Sequence, residues 1–175
     1  MRVLVAYASQ YGATKGIAER IADKLHERGL EVDLRSADDL SGSAIDRYDA
    51  FVIGSAIHAG HWLRPAVDFA RHNATVLAAQ PSWLFSSGPI GETSVHKPQP
   101  DPAEISELRS KLDVQNHVVF AGAFDPATVD EARTNWLERT LVKKFIPVGD
   151  FRDWPLIEAW AIGIARHLAG VLQPV

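Results

Sequence analysis

Continuous apolar runs alternate with amphipathic stretches along the chain, and the runs have the length of buried strands. Four of them are closed by small or polar residues, and they cover residues 3–7, 50–53, 83–85 and 118–121. Such runs are typical of parallel strands that are buried on both faces. A fifth segment, residues 30–34, alternates apolar and charged residues, which predicts a strand at the edge of the sheet.

The stretches between the runs carry apolar residues at helical spacing. Ile17, Ile21 and Leu25 predict a helix that ends near Gly29, a residue suited to a left-handed helix end. The same spacing predicts helices over residues 63–70, 101–112, 133–145 and 157–168. At the second of these, Asp101 is the predicted N-cap, and the Glu104 side chain is expected to reach back to it.

Strands and helices therefore alternate throughout, which predicts an α/β protein with a parallel sheet. We expect a flavodoxin-like, three-layer, doubly wound arrangement of five strands in the order 2-1-3-4-5, as a single domain over residues 1–175. In such a sheet the ligand site lies outside the carboxyl ends of strands 1 and 3, where the strand order reverses.

Composition narrows the classes of function. Of the 175 residues, 46% are apolar and 23% charged, as in ordinary globular domains. The net charge of −4 does not indicate a nucleic-acid partner, and the absence of cysteine excludes disulfides, thiolate metal ligands and cysteine nucleophiles. No apolar run approaches the ~20 residues of a membrane-spanning helix, and the N-terminus lacks a signal-peptide pattern, so we expect a cytoplasmic protein.

The turn after the first strand has the features of a phosphate-binding loop. Ser9-Gln10-Tyr11-Gly12-Ala13-Thr14 joins that strand to a helix N-terminus. Backbone N–H groups point outward at such a turn, the helix dipole adds about half a positive charge, and Gly12 allows a close approach to a ligand. Because no Lys or Arg lies within residues 9–14, we expect neutral dipoles rather than ion pairs to hold the phosphate. An ordinary, well-capped turn is the alternative.

Two more loops should lie at the same edge of the sheet. Residues 55–62 follow the third strand and residues 86–91 follow the fourth, and both segments carry small, hydroxylic or aromatic residues. Since the carboxyl ends of parallel strands share one edge, these loops should meet residues 9–14 there. Three suitable loops at one edge favour a ligand site over ordinary turns.

Other functions of α/β proteins fit less well. A phosphorylated receiver domain needs acidic residues after its first strand and an Asp at the end of its third, where this chain has Ala8-Ser9 and Gly54-Ser55. His58 and His61 lack an evident third ligand, so no functional metal site is predicted. The G-x-S-x-G elbow of a Ser-His-Asp hydrolase is absent.

Four segments resemble the flavodoxin superfamily, and together they extend the resemblance over nearly the whole chain. They are residues 7–14, residues 52–61 (Val-Ile-Gly-Ser-Ala-Ile-His-Ala-Gly-His), residues 121–124 (Ala-Gly-Ala-Phe) and residues 150–154 (Asp-Phe-Arg-Asp-Trp). The first has the Ser-x-x-Gly-x-Thr form of flavodoxin phosphate loops. The second and third are similar to the branch of menaquinone-dependent protoporphyrinogen oxidases. The resemblance implies FMN as the cofactor.

The resemblance also implies which residues meet the cofactor. Those expected to hold the FMN phosphate are Ser9, Gln10, Tyr11, Gly12, Ala13 and Thr14. Those expected along the flavin ring are Ser55, Ala56, Ile57, His58 and Ala59, and those expected at its pyrimidine edge, through backbone groups, are Ser86, Ser87 and Gly88. His58 is also a candidate catalytic residue, because a neutral imidazole beside a flavin can relay a proton. Packing of the loop is the alternative for His58.

The implied function is an FMN-dependent oxidoreductase with a small-molecule substrate such as a porphyrinogen and a quinone or a redox protein as electron acceptor. A flavodoxin-type electron carrier without its own substrate is the alternative, and a module that has lost its cofactor is a third. Quinone reduction would need access to a membrane. The helix around Trp136 to Phe145 mixes aromatic and basic residues and is the candidate for a peripheral contact. Packing of that helix on the sheet is the alternative.

Overall fold

The computed structural model describes residues 1–40, 42–88, 101–128 and 147–171. The elements in chain order are β1 (Arg2–Ala8), α1 (Ala13–Glu27), β2 (Glu31–Ser36), a 3₁₀ helix (Ala37–Leu40), β3 (Ala50–His58), β4 (His61–Trp62), α2 (Arg64–His72), α3 (Ala74–Leu77), β5 (Ser82–Ser87), α4 (Ala103–Lys111), β6 (Val114–Phe120), β7 (Ala123–Phe124), β8 (Gly149–Asp150) and α5 (Trp154–Val171). The predicted helix over residues 133–145, with its predicted membrane contact, lies outside the described residues.

A parallel sheet with the strand order β2-β1-β3-β5-β6 forms the centre of the structure. This is the predicted order 2-1-3-4-5 once the short β4, which pairs only with β3, is left out of the count. The chain starts at β1, adds β2 on one side, and then crosses to β3 on the other side before it continues to β5 and β6. The predicted doubly wound α/β fold is therefore confirmed, with its reversal of strand order between β1 and β3.

Helices cover both faces of the sheet, because residues of each central strand alternate between two cores. Leu4 and Ala6 of β1 belong to the core under α2, α3 and α4. Val3 and Val5 belong to the core under α1 and α5. A strand with apolar partners on both faces needs apolar residues at every position, which explains the continuous runs in the sequence.

β6 begins at Val114, four residues before the apolar run that predicts it. Two other strands continue at least two residues past the carboxyl ends of their runs. β3 continues through Ser55 to His58, and β5 continues through Ser86 and Ser87, although the pattern places these residues in loops. Their neighbours supply the pairing, since Ser55 pairs with Ala8 and with Ser86. Backbone hydrogen bonds keep this part of the chain extended whatever the polarity of its side chains. The apolar pattern therefore marks the strand ends too early.

The start of α4 also differs from the prediction. Its N-cap residue is Pro102, and no side chain caps the helix. The Asp101 carboxylate instead binds His117 Nδ1 and Arg109 Nη1, each at 2.9 Å. Glu104 is likewise engaged by β4 and not by the cap residue. The prediction of a local capping box was wrong because distant partners bind both carboxylates.

Candidate functional site

The carboxyl ends of β1, β3 and β5 lie side by side at one edge of the sheet. Ala8 pairs with Ser55, and Ala56, the next residue along β3, pairs with Ser87. Residues 9–14, 56–58 and 87–88 therefore lie at the same edge, and the predicted convergence is found for these residues. Residues 89–91 of the third predicted loop lie outside the described residues. This edge is also where the strand order reverses.

Residues 9–14 form a neutral cradle at the start of α1. Gly12 is the N-cap residue, with a left-handed φ of +86° that favours glycine. Its N–H donates to Ser9 Oγ at 3.1 Å, which closes the loop, and its C=O accepts the N–H of Gly16 at 3.0 Å. A Cβ at Gly12 would meet no atom within 4 Å, so the space beside this backbone is open to a ligand.

Thr14 carries a buried hydroxyl that lacks a hydrogen-bond partner. The residue is 1% exposed, and its Oγ1 is the one buried side-chain polar atom without a partner in the described parts of the chain. An unsatisfied polar group of this kind costs about 1–3 kcal/mol. Because Thr14 also lines a cavity at this edge, an oxygen of a ligand in the cradle would supply the missing partner.

A cavity of about 270 Å³ opens between the three strand ends and the ribbon of β7 and β8. The predicted site residues that line it are Ser9, Gln10, Tyr11, Ala13, Thr14, Ala56, Ile57, His58, Ser87 and Gly88. Gly122, Ala123 and Pro147 complete the lining; the first two belong to the flavodoxin-like segment 121–124 but were not predicted as site residues. Apolar walls with a few hydroxyl and backbone groups are typical of small-molecule sites.

The β7–β8 ribbon contributes Ala123 of β7 to another wall of this cavity. Ala123 pairs with Asp150 across the ribbon, and the ring of Phe124 meets the ring of Tyr11 edge to face, with 5.8 Å between centroids. Gly122 and Ala123 carry a signal in the sequence, because small residues follow the apolar run of β6 as they follow those of β1, β3 and β5. Pro147 carries no such signal.

The four remaining predicted residues do not line the cavity, and they are Gly12, Ser55, Ala59 and Ser86. The N–H of Gly12 donates to the Ser9 hydroxyl, and this hydrogen bond holds residues 9–12 in their loop conformation. Ser55 Oγ accepts the N–H of Leu63 at 2.8 Å and donates to the C=O of Ala56 at 2.9 Å, so it ties the start of α2 to β3. Contact of these residues with a cofactor stays a prediction.

His58 stands at the start of a tight hairpin beside the cavity. It pairs with His61 across β3 and β4, and the turn between them consists of Ala59 (φ +50°) and Gly60 (φ +83°). Two left-handed residues suit a two-residue hairpin turn, but alanine adopts this conformation at a cost of about 1 kcal/mol. The His58 side chain is exposed as well as adjacent to the cavity, so it can exchange protons with solvent.

Glu104 fixes this hairpin to α4. Its Oε1 accepts from His61 Nδ1 at 2.8 Å, and its Oε2 accepts the main-chain N–H of Trp62 at 3.0 Å. Burial acts to raise the pKa of Glu104, but the hydrogen bonds from Trp62 and His61 outweigh it and hold this pKa below its usual value. A carboxylate that stays charged at neutral pH therefore holds the hairpin that carries His58.

A Ser-His-Asp chain lies behind the cavity. Ser86 Oγ is 2.9 Å from His117 Nε2, and His117 Nδ1 is 2.9 Å from Asp101 Oδ1. Because a carboxylate only accepts, Nδ1 carries the proton and Ser86 donates to Nε2, while Trp62 Nε1 donates to Ser86 at 2.8 Å. Ser86 is 0% exposed, so no substrate carbonyl can reach its oxygen. The hydrogen bonds among Ser86, His117 and Asp101 therefore form a buried structural network and not a hydrolytic site.

The family model described as the flavodoxin domain matches residues 4–149. The chain therefore belongs to the flavodoxin-domain family. FMN, the predicted cofactor, is the one that this family and its flavodoxin neighbours imply. The cradle fits the phosphate of FMN, since the buried Thr14 hydroxyl, which lines the cavity, lacks a partner.

Curated proteins and solved structures give more particular similarities. The chain is 23% identical over 182 residues to protoporphyrinogen IX dehydrogenase (quinone) of Escherichia coli strain K12, which covers 95% of this chain and 96% of the relative. It is similar to a flavodoxin from the domain Archaea, with a TM-score of 0.62, 19% identity, and 97% of this chain and 99% of that chain covered. It is also similar to oxidised flavodoxin 2 from Bacillus cereus, with a TM-score of 0.59, 21% identity, and 95% and 99% covered. At such identities the structural matches show the fold alone.

Proposed function

We propose that this protein is an FMN-dependent oxidoreductase that moves electrons from a reduced, porphyrinogen-type substrate to a quinone. The similarity to the Escherichia coli dehydrogenase over nearly both whole chains supports this substrate and this acceptor. The observation that carries the cofactor part is the buried Thr14 hydroxyl, which lacks a partner in a neutral cradle where β1, β3 and β5 end.

Different residues around the cavity would contact different parts of FMN. Ser9 and Thr14 offer hydroxyl groups to a phosphate, while Ala56 and Ile57 offer apolar contact to a planar ring. FMN, when bound, supplies the redox chemistry. The protein supplies the position of the ring, the exclusion of water from its inner face and a charge environment that favours the phosphate.

His58 is the proposed group for the proton that accompanies electron transfer. Its side chain lines the cavity and is exposed. A neutral imidazole there can take a proton released by the substrate and pass it to water. His58→Gln should lower kcat by about a hundredfold and flatten its pH profile near neutrality, in a variant that still binds FMN. An unchanged pH profile would leave His58 with a packing role only.

The first experiment asks whether the purified, folded chain binds FMN. Titration of the apoprotein should quench flavin fluorescence and saturate at one FMN per chain. The loaded protein is then mixed with chemically reduced porphyrinogen and a soluble quinone, without oxygen, and the absorbance of the porphyrin product is followed. A folded chain that binds no FMN would overturn the proposal. FMN binding without quinone-dependent porphyrin formation would reject the proposed substrate and keep the cofactor.

A flavodoxin-type electron carrier, with a redox protein as its partner, is the second candidate. The match of the flavodoxin-domain model to residues 4–149 leaves this candidate open. The modest net charge of −4 counts against it, because strong acidity serves the docking of such carriers. A redox titration separates the two functions. A carrier should take up electrons in two well-separated steps, whereas the dehydrogenase should be reduced in one two-electron step.

Quinone reduction also requires access to a membrane. No helix in the described portion of the chain is long and apolar enough to cross one. A peripheral contact through residues 136–145 is proposed from their sequence alone, which combines aromatic and basic side chains. The protein should sediment with vesicles that contain anionic lipid and should be released by high salt. Equal sedimentation with neutral vesicles would contradict an electrostatic contact.

A further inference from the structure

An arginine from the distant end of the chain lies against the first turn of α1. Arg152 follows β8, and its Nη1 is 3.4 Å from the carbonyl oxygen of Ala13, a residue that lines the cavity. Its side chain is 17% exposed. Since residues 9–14 contain no Lys or Arg, this guanidinium brings a positive charge to a cradle that has none of its own.

Gly16 makes this approach possible. A Cβ at Gly16 would stand 2.5 Å from Arg152 Nη1, which is closer than van der Waals contact allows. Gly16 lies four residues, about 6 Å along the axis, beyond the Gly12 N-cap. The guanidinium is therefore on the order of 10 Å from a phosphate bound at the first amides of α1.

Two further contacts hold the guanidinium in place. Asp150 accepts from Arg152 Nε at 2.8 Å and also from Nη2, and the Trp154 ring lies 4.4 Å from the guanidinium carbon. Nη1 is the nitrogen that approaches α1. The Asp150 side chain is 46% exposed, so water screens its charge more than it screens that of Arg152.

Without an anion in the cradle, the Arg152 guanidinium is unfavourably placed relative to the dipole of α1. The N-terminus of α1 carries the positive end of the helix dipole, which repels a cation. An anion in the cradle would attract both the dipole and the guanidinium. Lys15 is less suited to this role, because its side chain is more than half exposed and its ammonium lies 3.8 Å from Glu19.

We propose that Arg152 is a remote counter-charge for the phosphate of the cofactor and acts through space, not by direct contact. This inference rests on the proposed FMN function. It adds one cation to the neutral dipoles that the sequence predicts. Riboflavin has the same ring and ribityl chain as FMN but no phosphate, so Arg152 should affect the binding of FMN and leave that of riboflavin unchanged.

The test compares the affinities of the apoprotein for FMN and for riboflavin. Arg152→Gln should weaken FMN binding by about three- to tenfold at low salt and should not change riboflavin binding. The FMN affinity of this variant should also depend less on ionic strength. Arg20→Gln is the matched control, because Arg20 carries the same charge and lies 4.8 Å from the Trp154 ring. It should leave both affinities unchanged.

Two more variants separate charge from shape. Asp150→Asn removes the partner charge of Arg152 and should tighten FMN binding, whereas a purely structural clamp predicts weaker binding. Gly16→Ala should displace the guanidinium and weaken FMN binding, although alanine favours the helix. Equal losses of FMN and riboflavin affinity in Arg152→Gln, or weaker FMN binding in Asp150→Asn, would overturn the inference.

The FMN-binding measurements distinguish a failure of the Arg152 inference from a failure of the proposed FMN function. If the unaltered, folded protein bound no FMN, the proposed function would fail and the inference with it. If the unaltered protein bound FMN and Arg152→Gln bound it equally well, the inference alone would fail. A selective loss of FMN affinity that high salt abolishes supports both.

Discussion

Glu104 accepts the main-chain N–H of Trp62 at 3.0 Å. The other oxygen of the same carboxylate holds His61 Nδ1 at 2.8 Å, so one side chain binds both residues of β4. The first residues of α4 are thereby joined to the hairpin that begins at His58, beside the cavity. The placement of His58 depends on a helix that contributes no residue to the cavity lining.

Replacement of Glu104 should loosen the hairpin. Glu104→Ala leaves the Trp62 N–H without its acceptor and should lower the free energy of unfolding by about 1–3 kcal/mol. Glu104→Gln keeps an amide oxygen for Trp62 and should cost less. Urea unfolding of the apoprotein measures both. Glu107→Ala, which removes surface pairs with Arg71 and Lys111 from the same helix, is the control and should have the smaller effect. Equal losses of unfolding free energy in Glu104→Ala and Glu107→Ala would contradict the role of Glu104 in holding the hairpin.

Ser86 should be a costly position in the core. Ser86→Ala removes the acceptor of Trp62 Nε1 and the donor to His117 Nε2, and should cost about 2–3 kcal/mol of unfolding free energy. Ser82→Ala is the matched control, since Ser82 is equally buried on β5 but only donates to the C=O of Gln80 at 3.3 Å. Urea unfolding should separate the two variants by more than 1 kcal/mol, on the order of one buried hydrogen bond. No difference would mean that the network adds nothing to stability.

Stability should decrease as the pH falls through slightly acidic values. Burial, the largest effect, lowers the pKa of His117 in the folded protein, and Arg109 adds to it, although Asp101 opposes both. The unfolded chain therefore binds its proton at a higher pH than the folded protein does. The stability that neutral His117 provides is present above the unfolded pKa of about 6.5 and is lost as the pH falls toward the lower folded pKa.

His117→Gln should lack this part of the pH dependence. The carboxylates with lowered pKa values, among them Glu104 and Asp150, lose their contribution only at more acidic pH, because their unfolded pKa values are about 4. Urea midpoints measured between about pH 7.5 and about pH 5 should fall less steeply for the variant than for the unaltered protein. Identical slopes would assign the decline to other groups.

The strand order and the edge that carries the site could be predicted from the sequence. Central strands are apolar at every position, and parallel topology then brings their carboxyl ends together. The ends of β3 and β5 could not be predicted, because pairing with neighbouring strands keeps Ser55 and Ser87 extended. The side-chain pattern does not record that pairing.

Contacts between distant segments were the other limit of prediction. Pro147 and Arg152 are separated from residues 9–14 by more than a hundred positions, and neither stands in a local pattern that indicates the contact. Asp101 and Glu104 do stand in a capping pattern, but His117 and β4 bind their carboxylates instead. A local capping pattern gives a wrong prediction where a residue distant in the sequence binds the charged side chain instead.

The hairpin turn offers a test of backbone strain. Ala59→Gly removes the Cβ from a residue at φ +50° and should raise the free energy of unfolding by about 1 kcal/mol. Ala78→Gly makes the same chemical change at φ −77°, just after α3, and should lower it by about 0.5–1 kcal/mol. The two variants should therefore shift the urea midpoint in opposite directions. Shifts of the same sign would show that the strain at Ala59 has no energetic weight.

The Thr14 hydroxyl should affect stability and binding with opposite signs. Thr14→Val removes a buried polar atom that lacks a partner and should raise the stability of the apoprotein by about 1 kcal/mol. The same change removes a donor to the phosphate and should weaken FMN binding. Thr14→Ser keeps the hydroxyl and should retain the affinity. A valine variant that binds FMN as well as the unaltered protein would contradict the role of Thr14.

The wall of the cavity that includes Ala123 also determines when the site can exist during synthesis. Residues 9–14 leave the ribosome early, but Gly122 and Ala123 follow about a hundred residues later and Pro147 later still. A nascent chain that ends after β5 has the cradle but not this wall. An enclosed place for a flavin is therefore expected only after Pro147 has been synthesised, and a chain that terminates before β7 should lack it.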